Sequence, residues 1–83
     1  MKRKIAILGS TGSIGKTLLN LISKEKKNFD VQLLTANKDY KTLLYQAKKF
    51  KVKNLIITNK ESYKLLKLKT KNLNIKVFNN FEK

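Results

Sequence analysis

Apolar residues in this chain fall into short blocks with two alternating rhythms. Lys4-Ile5-Ala6-Ile7-Leu8 is a nearly continuous apolar run that stops at Gly9, the pattern of a strand buried in a parallel sheet. Beyond it, Ile14, Leu18, Leu19, Leu21 and Ile22 lie at offsets of four, five, seven and eight, which predicts one face of a helix. Polar Glu25 to Asn28 end that helix, and Val31 to Thr35 read as a second strand. Asp39 suits an N-cap, its carboxylate accepting from the free N–H groups of the next turn, ahead of a helical stripe of Tyr40, Leu43, Leu44, Ala47 and Phe50. Leu55-Ile56-Ile57 is a third strand and Asn59 caps a third helix carrying Tyr63 and Leu66. Ile75 to Phe78 form a fourth strand before the polar tail Asn79 to Lys83.

The order βαβαβαβ with short connections predicts an α/β fold, a Rossmann-like parallel sheet with helices on both faces, in one unit over residues 1–83. Such sheets take ligands at the C-terminal ends of their strands, so the loops Gly9 to Gly15 and Thr35 to Asp39 should be neighbours. An open parallel sheet normally continues. The strand at Ile75 to Phe78 is therefore expected to carry an unpaired edge or an apolar face suited to further residues.

The chain has three glycines, and all of them sit in the first of these loops, at Gly9, Gly12 and Gly15. Clustering at a strand-to-helix turn marks backbone that needs positive φ or a close approach. Gly12 leaves room for a pyrophosphate on the helix N-terminus, whose free N–H groups and partial positive charge favour an anion. Gly15 lets the helix pack closely on the strand, and Ser10, Thr11 and Ser13 add hydroxyls that can donate to phosphate oxygens. A second phosphate reading fails on spacing. Counting back from Gly15-Lys16-Thr17, a P-loop needs glycine where this chain has Ser10, and no acid follows Leu55-Ile56-Ile57 to hold magnesium. Lys16 is then a surface residue of the first helix.

In a dinucleotide fold, an acid about 20 residues past the glycines binds the ribose of NAD. This chain has Thr35-Ala36-Asn37-Lys38 there, and a lysine among small polar groups suits the 2′-phosphate of NADP. Asp39 follows; as an N-cap its carboxylate turns toward the helix and away from the phosphate.

Composition narrows the chemistry further. The chain has no Cys and no His, which removes thiolate nucleophiles, disulfides, thiolate metal sites and the commonest acid-base residue. Its +15 formal charge comes from nineteen lysines and Arg3, spread along the whole length. Lysine with abundant Asn and Ile reads as the drift of an AT-rich coding sequence; specific nucleic-acid readers favour arginine and interleaved aromatics. No apolar run approaches the ~20 residues of a membrane span, and the one after Met1 to Lys4 is too short for a signal peptide. The expected location is the cytoplasm, with no membrane and no specific nucleic acid as partner.

ILGSTGSIGKTLLN, VQLLTANKDYKTLLYQAKKF and KVKNLIITNKESYKLL together resemble the N-terminal NADPH-binding domain of the 1-deoxy-D-xylulose 5-phosphate reductoisomerase family. The resemblance runs through nearly the whole chain. It implies an NADPH-dependent oxidoreductase that converts 1-deoxy-D-xylulose 5-phosphate to 2-C-methyl-D-erythritol 4-phosphate in the non-mevalonate isoprenoid pathway. A divalent metal, Mg or Mn, and a homodimer in the full-length enzyme are implied with it. Thr11, Gly12, Ser13 and Ile14 fall on the family's cofactor turn and Lys38 on its lysine near the adenosine phosphate. Asn37 stands where the family often has Gly and Asp39 where it often has Asn; backbone donation from both positions fits the same role. Members are several times longer, with metal ligands and substrate-phosphate residues beyond this length. The expectation is a partial sequence that binds cofactor, provides no catalytic or metal-ligating residue and is inactive alone. A basic nucleic-acid-binding module, or the Rossmann domain of another NADP-dependent oxidoreductase, are the alternatives.

Overall fold

The computed structural model describes residues 2–25 and 27–80, so Met1, Lys26 and the end of the tail, 81–83, lie outside the described residues. Each apolar block of the sequence becomes an element. The strands are β1 (Arg3–Ile7), β2 (Phe29–Ala36), β3 (Asn54–Ile57) and β4 (Lys76–Phe78). Between them run α1 (Ser13–Ser23), α2 (Tyr40–Phe50) and α3 (Lys60–Lys69).

The strands pair in parallel in the order β1-β2-β3-β4. Every crossover therefore steps in the same direction, and right-handed connections then put each helix on the same side of the sheet. The packing agrees, since α2 lies against α3 and shares a groove with α1. The parallel βαβαβαβ sheet is the expected one, but among the described residues its helices cover one face and not both. Leu34, Leu55, Ile57 and Val77 point into that helical layer, against Leu19, Leu43, Ala47 and Leu66. On the opposite face, register brings Thr35, Ile56 and Phe78 side by side, and Phe78 is half exposed.

A bulge in β2 keeps this alternation in phase. Ile5 pairs with Val31, but Ala6 pairs with Leu33, so Gln32 is the extra residue. Both Val31 and Leu34 thereby reach the helical layer. β4 is an edge strand, as expected, and β1 is the other edge.

The first helix departs from its sequence pattern. Gly15, Leu19 and Ile22 are its buried face, whereas Ile14, Leu18 and Leu21 are exposed. Two apolar stripes had merged into one in the spacing, and only one of them meets the sheet.

Candidate functional site

The loops that follow β1 and β2 meet at one end of the sheet because their strands are hydrogen-bonded neighbours. Two bonds join them directly. The Gly9 N–H donates to Thr35 Oγ1 at 2.9 Å, and the Ser10 N–H donates to the Thr35 carbonyl at 2.9 Å. Thr11, Gly12, Ser13 and Ile14 from one loop, and Asn37, Lys38 and Asp39 from the other, therefore share the C-terminal end of the sheet.

The three glycines do different work. Gly9 has φ +67°, which L side chains rarely adopt. At Gly15 a Cβ would sit 2.5 Å from the Gly9 carbonyl oxygen and 2.6 Å from Ser10 Cα, so the start of α1 presses onto the turn itself. Gly12 meets neither demand: its φ is −78°, and a Cβ would make an ordinary 3.5 Å contact. The fold would accept a side chain there.

Gly12 is also the N-cap of α1, and no side chain caps this helix. In contrast, Asp39 Oδ1 accepts from the Thr42 N–H at 3.1 Å to cap α2, and Asn59 Oδ1 accepts from the Ser62 N–H at 3.0 Å to cap α3. Among the described residues no acceptor reaches the N–H groups of Ser13 and Ile14. The first turn of α1 has no acidic residue, so its positive end stays uncompensated.

Lys38 is exposed in the loop after β2, and its carbonyl accepts from Tyr40 N–H at 2.8 Å. Asp39 takes the capping role expected of it. Hydrogen bonds from the Thr42 side chain and then its N–H hold the Asp39 carboxyl below its ordinary value of 3.8; Lys16 and Lys41 add to this, and slight burial opposes it. The Asn37 side chain is less free than its sequence position suggests, because its carbonyl oxygen accepts from the Thr58 hydroxyl at 2.8 Å.

Ser10 requires a correction. Its hydroxyl is fully buried and donates to Gln46 Oε1 at 2.8 Å, so it is turned away from any phosphate and toward α2. Sequence reasoning missed Gln46, Thr35 and Thr58. One signal was available for Gln46: it lies three residues after Leu43 and next to Ala47, a polar residue on the apolar stripe of α2. Thr58 and Thr35 carried no comparable signal.

The site can be set beside known proteins. Residues 5–82 match the family model described as 1-deoxy-D-xylulose 5-phosphate reductoisomerase. The chain is 52% identical over 80 residues to the 1-deoxy-D-xylulose 5-phosphate reductoisomerase of Pelagibacter ubique, covering 96% of this chain and 21% of that protein. A solved reductoisomerase from Zymomonas mobilis, in complex with NADPH, superposes with a TM-score of 0.88 at 32% identity over 94% of this chain and 21% of its own. Another, in complex with NADPH, fosmidomycin and magnesium, superposes with a TM-score of 0.85 at 27% identity, over 92% of this chain and 19% of its own. The chain thus spans about a fifth of the length of the relatives it matches. With the family model matched from residue 5 to residue 82, the chain belongs to the 1-deoxy-D-xylulose 5-phosphate reductoisomerase family.

Proposed function

We propose that the turn Thr11-Gly12-Ser13-Ile14 and the loop Asn37-Lys38-Asp39 bind NADPH, and that residues 1–83 are the N-terminal part of an NADPH-binding Rossmann-like domain. The observation that carries the reading is the start of α1, where unpaired N–H groups surround a glycine that the fold itself does not require. A pyrophosphate on Gly12 would take the Ser13 and Ile14 N–H groups as donors, with the helix dipole in its favour. Lys38 would pair with the 2′-phosphate from the neighbouring loop, while the Asp39 carboxylate stays engaged with Thr42. The Asn37 carbonyl oxygen is held by Thr58, which leaves its amide hydrogens as donors toward the same phosphate.

The wider activity we propose is that of the whole family: rearrangement and reduction of 1-deoxy-D-xylulose 5-phosphate to 2-C-methyl-D-erythritol 4-phosphate. When bound, NADPH supplies the hydride for the reduction. The solved relatives in complex with NADPH and with magnesium support the same cofactors here. A cytoplasmic location and a homodimeric full-length enzyme are part of the same proposal. Among the described residues no three His, Cys, Asp or Glu side chains come together to hold a metal. In this reading the metal and the sugar phosphate are held by the part of the relatives that this chain does not match, about four-fifths of their length.

Amide shift mapping tests the proposed site. Addition of NADPH should move the backbone amides of Thr11 to Ile14 and of Asn37 to Asp39 before any others. Shifts spread evenly over the lysine-bearing helix surfaces would instead indicate diffuse attraction of an anion to a +15 chain.

A further inference from the structure

Behind the glycine turn lies a polar cluster that touches no ligand-facing surface. Gln46 Nε2 donates to the Ser10 carbonyl at 2.8 Å, and the Ser10 hydroxyl donates to Gln46 Oε1 at 2.8 Å. The Ser10 hydroxyl is also 3.4 Å from the Thr35 carbonyl, and its single proton favours the shorter contact. Ser10 is fully buried, with Thr35 at 4% and Gln46 at 5% exposure. Together with the bonds from the Gly9 and Ser10 N–H groups to Thr35, these contacts engage every polar group of Ser10.

We infer that Gln46 is a positioning residue for the dinucleotide turn, clamping Ser10 from α2 so that the next residues present their N–H groups to the cofactor. This rests on the NADPH reading of the turn. Burying an amide and a hydroxyl brings little net stability even when both are paired, and an apolar pair of similar shape would do as well. What the polar pair adds is geometry. Two reciprocal bonds fix both the distance and the rotation of Ser10 relative to α2, where apolar contacts would allow sliding. Gly15 completes the clamp from the other side, because α1 approaches Gly9 and Ser10 too closely for a Cβ. The turn is thus held between α1 and α2. Beyond Ser10, the Gly12 N–H donates to the Gly9 carbonyl at 3.1 Å and the Gly12 carbonyl accepts from the Lys16 N–H at 2.9 Å, so Gly12 is tied to the clamped pair on one side and to α1 on the other.

The test uses the 83-residue chain with Gln46→Met, which keeps the volume and removes both bonds, and with Val52→Ala as a control. Val52 is buried in the core away from the turn, so its truncation lowers stability without touching the clamp. Amide hydrogen exchange is read at Gly9, Ser10 and Gly12, the three turn donors, and NADPH affinity is measured on the folded fraction. In Gln46→Met, exchange at those amides should rise at least tenfold above that in the control, and affinity should fall about fivefold or more, while the control keeps wild-type affinity. Turn exchange that matches the control, or affinity unchanged despite faster exchange, would overturn the inference. Ser10→Ala, which removes the hydroxyl alone, should give a smaller change in the same direction and serves if Gln46→Met does not fold. A wild-type chain that is folded but binds no NADPH would sink the cofactor reading instead, with the exchange comparison still reporting on the clamp.

Discussion

At the scale of single residues, the three glycines can be separated by experiment. Gly15→Ala drives a Cβ into backbone 2.5 Å away and should cost roughly 1–3 kcal/mol of stability, as overpacking does. Gly12→Ala should cost under about 1 kcal/mol, the effect of a poorer N-cap residue, yet weaken NADPH binding roughly tenfold or more. Thermal melts and a cofactor titration on the two variants check this pairing. If both changes damaged stability alone, the turn would be a structural device only. Asp39 gives a pH signature. Its folded carboxyl is held below 3.8, so its contribution is complete above that value and is lost as the pH falls through the lowered one. Asp39→Asn should flatten the decline of melting temperature below about pH 4; an unchanged profile would show that the cap does not contribute through its charge. Gly9 was legible as a single letter, since its positive φ is what a glycine at that turn allows. Ser10 was not, because a serine among glycines reads as a phosphate donor until its burial against Gln46 is known.

At the scale of elements, rhythm located every strand and helix, and the caps at Asp39 and Asn59 are where their side chains placed them. Rhythm could not assign the sides of α1. Leu18 and Leu19 are adjacent apolar letters, but one is 45% exposed and the other 3%. Periodicity counts apolar positions; which of them meets the sheet depends on how Gly15 seats the helix on the turn. Leu19→Ala should therefore cost about 2–5 kcal/mol, whereas Leu18→Lys should stay within about 0.5 kcal/mol, both read by chemical denaturation. Equal losses would mean that the exposed stripe of Ile14, Leu18 and Leu21 is packed in solution. The side taken by each helix was also hidden in the alternation of elements, because it follows from strand order, and strand order is set by which edges pair.

At the scale of the whole molecule, the four parallel strands and three helices of the described residues bring two loops together at one end of the sheet, in a chain of +15 net charge. The +15 charge does not by itself choose a ligand, since exposed lysines attract any polyanion and salt screens them within about 10 Å at 0.1 M. On the proposed site, selectivity comes from the turn and from Lys38. An exposed charge pair contributes up to about 1 kcal/mol, so Lys38 should account for roughly a fivefold preference for the phosphorylated dinucleotide. The most direct measurement is the ratio of NADPH to NADH affinity, at one moderate salt concentration, for the wild-type chain and for Lys38→Ala. The account predicts saturable binding of both, tighter for NADPH, with the preference largely lost in Lys38→Ala while NADH affinity is kept. Equal affinity for the two dinucleotides in the wild-type chain, or a preference that survives Lys38→Ala unchanged, would contradict it.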